Sequence, residues 1–267
     1  MIIDLHTHIF PDKVASGALE VLLKSMEIHE GKTYPPQTDG TLNGLLGSMT
    51  ESGIDISITM PIATKPSQTD SINRFVMAID DKRIVSFGAV HPLSENAFDV
   101  LEKLKQSGIK GVKIHPEFQD FYIDSKESIE FLKKAEELSL YVMVHAGADV
   151  GFAPPVKCTP ERIGNVLKCI KGDRLIAAHL GGFRMWDDVE RYLVGTPVLL
   201  DTAFISRFIS KEQVERIIKN HGSEKILFGS DSPWESPVMT KEFIDSLSVS
   251  DEEKENIFCK NALRILS

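Results

Sequence analysis

The chain is expected to fold as an α/β protein, a single-domain (β/α)8 TIM barrel. Eight short apolar runs rich in β-branched residues recur along it, and each is followed by a longer stretch with helical periodicity. Six of its eight histidines fall at or just past the end of such a run, the end at which barrels build their sites. Strand–helix alternation implies a parallel sheet, and eight units is the number that closes one on itself. An open doubly wound sheet is the competing arrangement. It is disfavoured because no Gly-rich dinucleotide fingerprint follows the first run.

Taken in order, the expected strands cover residues 2–6, 56–60, 84–90, 111–115, 140–145, 175–179, 197–201 and 225–229. Helices are expected over 42–52, 69–80, 94–107 and 125–138, the last with Ser125 as N-cap. Thr159-Pro160-Glu161 opens another, with a capping threonine and proline at the first helical position. Segments 185–193, 210–220, 237–247 and 251–266 follow. Residues 9–40 read as one long irregular insertion between the first strand and its helix. In a barrel that loop lies over the mouth, where it would serve as a lid.

Bulk properties narrow the function. At 267 residues the chain can bury a full core without disulfides or a structural metal, so any metal belongs to the chemistry. A net charge of −9 with no Lys/Arg run argues against nucleic acid and anionic membranes as partners. Three cysteines without metal or redox spacing fit a reducing, cytoplasmic setting. Neither a signal-peptide pattern nor a run long enough to span a bilayer stands out.

The strand ends carry the chemistry. His6 and His8 are two apart on a strand, so their rings share a face and converge on one point, as two metal ligands must. A bare HxH also arises by chance; it gains weight from His145, which closes Tyr141-Val142-Met143-Val144, and from Asp231 after Phe228-Gly229-Ser230. A carboxylate at the end of a buried strand needs a partner or a metal. His6, His8, His145 and Asp231 are therefore the expected ligands, with Asp231 also handling a proton. His179 before Leu180-Gly181-Gly182 repeats the His145 pattern. Lys113 and His115 share a face of the fourth strand. Lys113 either pairs with a buried acid such as Asp4 or Asp201 or serves function, and His115 either supports a ligand or touches substrate. Trp234 and Trp186 either line the pocket or cover a helix–barrel seam; Cys158 has no base beside it and reads as a bystander.

In these pieces the sequence resembles the amidohydrolase superfamily, and its amidohydrolase-related branch of hydrolases and non-oxidative decarboxylases in particular. The pieces are Ile3-Asp4-Leu5-His6-Thr7-His8, Gly111-Val112-Lys113-Ile114-His115-Pro116, Val144-His145-Ala146-Gly147, Ala178-His179-Leu180-Gly181-Gly182, Leu200-Asp201-Thr202, Phe228-Gly229-Ser230-Asp231-Ser232-Pro233 and Asn261-Ala262-Leu263. They span nearly the whole chain in the family's order. The resemblance implies metal ligation by His6, His8, His145 and Asp231, and a base or polarising role for His179. Some members hold a second metal through a carboxylated lysine, for which Lys113 is the candidate. In the decarboxylases an extra arginine or histidine orients the substrate carboxylate, a role Arg184 or Arg207 could fill.

Three functions are compatible with this reading. The first is hydrolysis of a small carboxylate-bearing amide, lactone or ester, with metal-activated water and Asp231 as base. The second is decarboxylation of a small aromatic or unsaturated acid, with Asp231 or His179 delivering a proton to carbon. The third is a non-catalytic metal-binding barrel with a closed coordination sphere. The expected cofactor is one divalent metal, Zn2+ by ligand type, with Mn2+, Fe2+ or Co2+ also suited. The expected partner is a small molecule, bound by Lys113, His115, Arg184 and Trp234, and a homo-oligomer is compatible with the sequence.

Overall fold

Parallel pairing organises the chain. The computed structural model describes all of residues 1–267. Strands β1 (Ile3–Thr7), β2 (Ile56–Thr59) and β3 (Ile84–Ser86) pair in order. So do β4 (Gly88–Ala89), β5 (Gly111–Ile114), β6 (Tyr141–Val144), β7 (Leu175–Ala177), β8 (Leu199–Asp201) and β9 (Ile226–Leu227). β3 and β4 are halves of one barrel strand broken at Phe87, whose N–H donates to Thr59 O at 3.0 Å and carries the ladder across the break. The ring closes where Leu5 N donates to Phe228 O and Asp231 N to His6 O, each at 2.8 Å. Eight strand positions therefore form a closed (β/α)8 barrel, as the alternation predicts.

Period two divides each strand between two apolar layers. Val112, Ile114, Val142, Val144, Leu175, Ala177 and Leu200 face outward into one cluster with helix residues such as Leu101, Phe131, Ile163 and Val214. Ile3, Leu5, Ile58, Met60, Phe87, Met143, Ile176, Ala178 and Leu227 face inward. Cys259, Ala262 and Ile265 join them, the last two from the C-terminal helix Asn261–Leu266. The lower barrel is thus a plugged core, and only its upper end is open to chemistry.

The expected caps hold. Ser125 accepts from Ser128 N, and Thr159 accepts from Arg162 N with Pro160 at the first helical position. The 9–40 segment differs from expectation, because most of it is a 19-residue helix, α1 (Asp12–Glu30), closed by Gly31 in the left-handed conformation. Ala15, Leu19 and Met26 are its buried residues, and Met26 joins the outer apolar cluster of the barrel. Ser16 and Gly17 weaken the local helix signal, and packing overrides them. Two more helices matter below: α2 (Leu42–Ser52) and α3 (Thr69–Met77). No helix is long and apolar enough to cross a membrane.

At Gly111 a Cβ would lie 2.5 Å from the Phe87 ring and 2.7 Å from Tyr141 O. Gly111→Ala should lower the urea-unfolding free energy by about 1–3 kcal/mol. Phe87→Leu in the same chain should recover part of that loss, and purely additive losses would contradict this packing account.

Candidate active site

β1 bulges at the site. Asp4 pairs with Ser57 but Thr7 with Thr59, so three steps of β1 match two of β2. The extra residue lets Leu5 face the inner core while His6 and His8 both turn to the mouth. Two other site residues depend on left-handed backbone. Ala178 faces inward, so alternation would send His179 outward; φ of +58° at His179 brings its ring back over the barrel. Asp231 sits at φ +68° just past β9. For a non-glycine residue this conformation costs about 1–3 kcal/mol, and it persists only where the surroundings enforce it. At Asp231 the enforcement comes through Asp4, whose carboxyl accepts from Ser230 N at 2.9 Å, Ser230 Oγ at 2.5 Å and His6 N at 3.2 Å.

The four histidine rings around the mouth can be assigned from their partners. His6 Nδ1 donates to Asp201 Oδ2 at 2.7 Å, and His8 Nδ1 to Met60 O at 2.8 Å. Each ring therefore presents an unprotonated Nε2; the two Nε2 atoms lie 3.1 Å apart, and that of His6 also accepts from Lys113 Nζ at 3.1 Å. Asp231 Oδ1 is 3.1 Å from His8 Nε2 and 3.5 Å from His6 Nε2. His179 Nδ1 donates to Ala203 O at 2.9 Å, and His145 Nε2 to Ala148 O at 3.1 Å. That leaves His179 Nε2 and His145 Nδ1 bare, and they face each other at 3.0 Å. Lone pairs so opposed repel unless a cation lies between them. Two nitrogens bound to one ion at about 2.1 Å are themselves about 3.0–3.4 Å apart, so the spacing fits a divalent metal.

The sequence places four ligands together; the structure brings His6, His8 and Asp231 into one cluster. His145 stands beside them, coupled through His179. A second grouping, His115, His145 and Asp149, also brings its ligand atoms within 4.8 Å of one another. The two rings stack at 4.2 Å and 13°, so their lone pairs lie in nearly parallel planes. His115 Nε2 lies 3.2 Å from Asp149 Oδ2.

Lys113 is buried, with Nζ 3.1 Å from His6 Nε2. Burial pulls its pKa down to about 8, against the opposing pull of Asp201 and Asp231. Neither open partner from the sequence is its direct contact: Asp4 is taken by Ser230, and Asp201 by His6. Burial, and then the Lys113 ammonium, hold His6 well below the ordinary imidazole value. Burial alone would raise the Asp231 carboxyl, but its contacts with His6, His8 and His179 outweigh that and keep it below the usual carboxylate range.

These groups floor a cavity of about 1160 Å3, walled by Phe10, Met60, Phe118, Phe183, Phe204 and Trp234. Lys113, His115 and Trp234 are among the residues that line it. Arg184 does not, because its guanidinium pairs with Glu30 at 2.5 and 3.0 Å and ties the end of α1 to the barrel. Arg207 is turned to Glu235, and Trp186 donates to His179 O beneath the site. Sequence reasoning overlooks the roles of Asp201 and Asp149. Asp201 carries the same signal as Asp231, a carboxylate ending a buried strand; Asp149, four residues past His145, carries none.

A family model described as amidohydrolase matches residues 3–267. No curated protein matches the sequence. Among solved structures, 5-carboxyvanillate decarboxylase from Sphingomonas paucimobilis superposes with a TM-score of 0.73 at 16% identity, covering 99% of this chain and 98% of that one. An uncharacterised TIM-barrel protein from Bordetella bronchiseptica gives 0.77 at 15%, with 99% and 98% coverage. A dihydroxybenzoic acid decarboxylase from Polaromonas, with bound manganese and 2-nitroresorcinol, gives 0.68 at 15%, with 99% and 96% coverage. These likenesses establish the fold.

Two predictions follow from the site. Asp201→Asn should weaken metal binding about 10- to 100-fold in competition with a chelator, because His6 loses the partner that fixes its tautomer. Unchanged affinity would remove Asp201 from the site. For Asp4, burial raises the folded pKa to about 7 from 3.8. Its contribution to stability is full below pH 3.8 and is lost as pH rises through 7. Asp4→Asn should therefore gain stability over wild type at pH 8 relative to pH 5 in paired denaturation curves; a pH-independent difference would contradict the shift.

Proposed function

The chain belongs to the amidohydrolase family, and on that premise we propose that it is a metal-dependent non-oxidative decarboxylase of a small aromatic or unsaturated carboxylic acid. The observation that carries this reading is the division of the cavity. Aromatic and aliphatic walls suit a flat, apolar substrate body, while every charged or metal-ligating group deep in it gathers at one end. Two of the solved structures to which the fold is similar are decarboxylases of ring carboxylic acids, one with manganese. Hydrolysis, which the sequence puts first, becomes the second reading; the ionised Asp231 favours it, since a carboxylate can serve as base.

His6, His8, His145, His179 and Asp231 are the residues that would hold the ion, with Mn2+ and Zn2+ both suited to imidazole and carboxylate. A bound divalent ion supplies fixed positive charge to the oxygens of the substrate. Lys113 adds an ammonium on the same side and draws the carboxylate to the floor. Asp201 holds His6 in the tautomer that keeps Nε2 bare. The surrounding phenyl rings exclude water, which strengthens each of these charge contacts.

The substrate binds as its carboxylate, and Asp231, itself ionised at the start, takes up one proton from solvent. The C–C bond to the carboxylate breaks and CO2 leaves, with the electron pair remaining on the ring or vinyl carbon. Asp231 returns the proton to that carbon and ends as a carboxylate. The net change is RCOO⁻ plus one solvent proton to RH plus CO2, with no oxidant or reductant.

A panel of hydroxybenzoates and unsaturated acids, incubated with Mn2+- or Zn2+-loaded protein in D2O, tests the proposal. The expected products are CO2 and a ring or vinyl carbon bearing one deuterium. Asp231→Asn should slow CO2 release by about 10²–10⁴-fold. Cleavage of lactones or amides without CO2 would replace this reading with hydrolysis.

A further inference from the structure

The cavity does not stop at the size of a one-ring acid. At about 1160 Å3 it exceeds the roughly 300–1000 Å3 of ordinary small-ligand sites. Its lining extends past the metal-ligand floor to residues of α1 and of the segment 64–75, many of them exposed. The α1 wall is a helical stripe of Val14, Gly17, Ala18 and Val21, faced by Ile72 and Phe75 of α3. Val14 and Val21 are 51% and 66% exposed, an apolar surface left to solvent beside the mouth. Gly17 sits inside the helix at a cost of about 1 kcal/mol relative to alanine. Nothing lies within 4 Å of a Cβ placed there, so neither packing nor backbone conformation requires the glycine; it leaves open space on a residue that lines the cavity.

Charge along the channel is one-sided. Lys13 and Lys65 are the charged residues of its outer half, both exposed, and no carboxylate lines that half. In a chain of net charge −9 such a rim selects for anions.

We infer that the substrate is an elongated diacid: a carboxylated ring at the metal-ligand floor, an apolar arm along α1, and a second anionic group between Lys13 and Lys65. This rests on the decarboxylase reading for which end reacts, and the channel itself can be tested by binding alone. Its walls then have a reason to be apolar yet unsealed. The lysines have a reason to stand unpaired at its exit.

Isothermal titration of metal-loaded protein with benzoate and its 4-ethyl, 4-butyl and 4-hexyl derivatives tests the arm. Full burial of each methylene is worth up to about fourfold in affinity, so a gain of about two- to fourfold per methylene is expected. Gly17→Leu and Ala18→Leu, which fill the channel away from the reacting groups, should abolish the gain and leave benzoate binding unchanged. A terminal carboxylate on the hexyl arm should tighten binding further, and the Lys13→Gln/Lys65→Gln double variant should erase that increment alone. A flat chain-length series in wild type, or a gain that survives Gly17→Leu, overturns the inference. A flat series from a dimer that Val21→Lys dissociates would assign the channel to a second copy of the chain. Absence of CO2 release with intact chain-length dependence would sink the decarboxylase reading and leave the channel standing.

Discussion

Four imidazole rings at the mouth of the barrel have donated a proton away from its centre, and what remains are unshared electron pairs pointed at one another. His6 and His8 meet at 3.1 Å, and His145 and His179 at 3.0 Å. The acceptors that draw those protons outward are a buried carboxylate and three main-chain carbonyls. Backbone carbonyls cannot change protonation state, so the tautomers are set by the fold. Burial keeps His6 and His145 from relieving the opposition by taking up a proton. A divalent cation relieves it directly, and the apolar walls raise the strength of that interaction by excluding water.

The fold serves this arrangement in three places. The bulge in β1 frees two histidines to face the mouth without sacrificing Leu5 to solvent. Left-handed backbone at His179 and Asp231 reverses the direction that strand alternation would impose. Asp4, deep in the wall, fixes the Ser230 turn and with it the approach of Asp231. Each device spends stability locally, and the plugged lower barrel supplies the rigidity that sustains it.

Much of this was readable from residue order, for specific reasons. Parallel strands buried on both faces write themselves as continuous apolar runs, so all eight positions were visible, as were the caps at Ser125 and Thr159. His6 and His8 were legible because period two is local. His145 was not legible as a member of a second imidazole pair, because its partner is 34 residues away and its aim depends on the left-handed turn at His179. The pairing of Arg184 is illegible for a similar reason: its partner Glu30 lies on α1, and a helix carrying Ser16 and Gly17 does not announce itself. Asp201 looked like a possible counter-ion for Lys113, since sequence gives a carboxylate at a strand end but not which neighbour it faces.

The account stands or falls on the cation. Calorimetric titration of chelator-treated protein with Mn2+, and separately with Zn2+, measures it most directly. The lone-pair arrangement predicts saturable binding of at least one ion per chain, lost in the His6→Gln/His8→Gln double variant while the fold, followed by circular dichroism, persists. Absence of binding, or binding that the double variant retains unchanged, would contradict it.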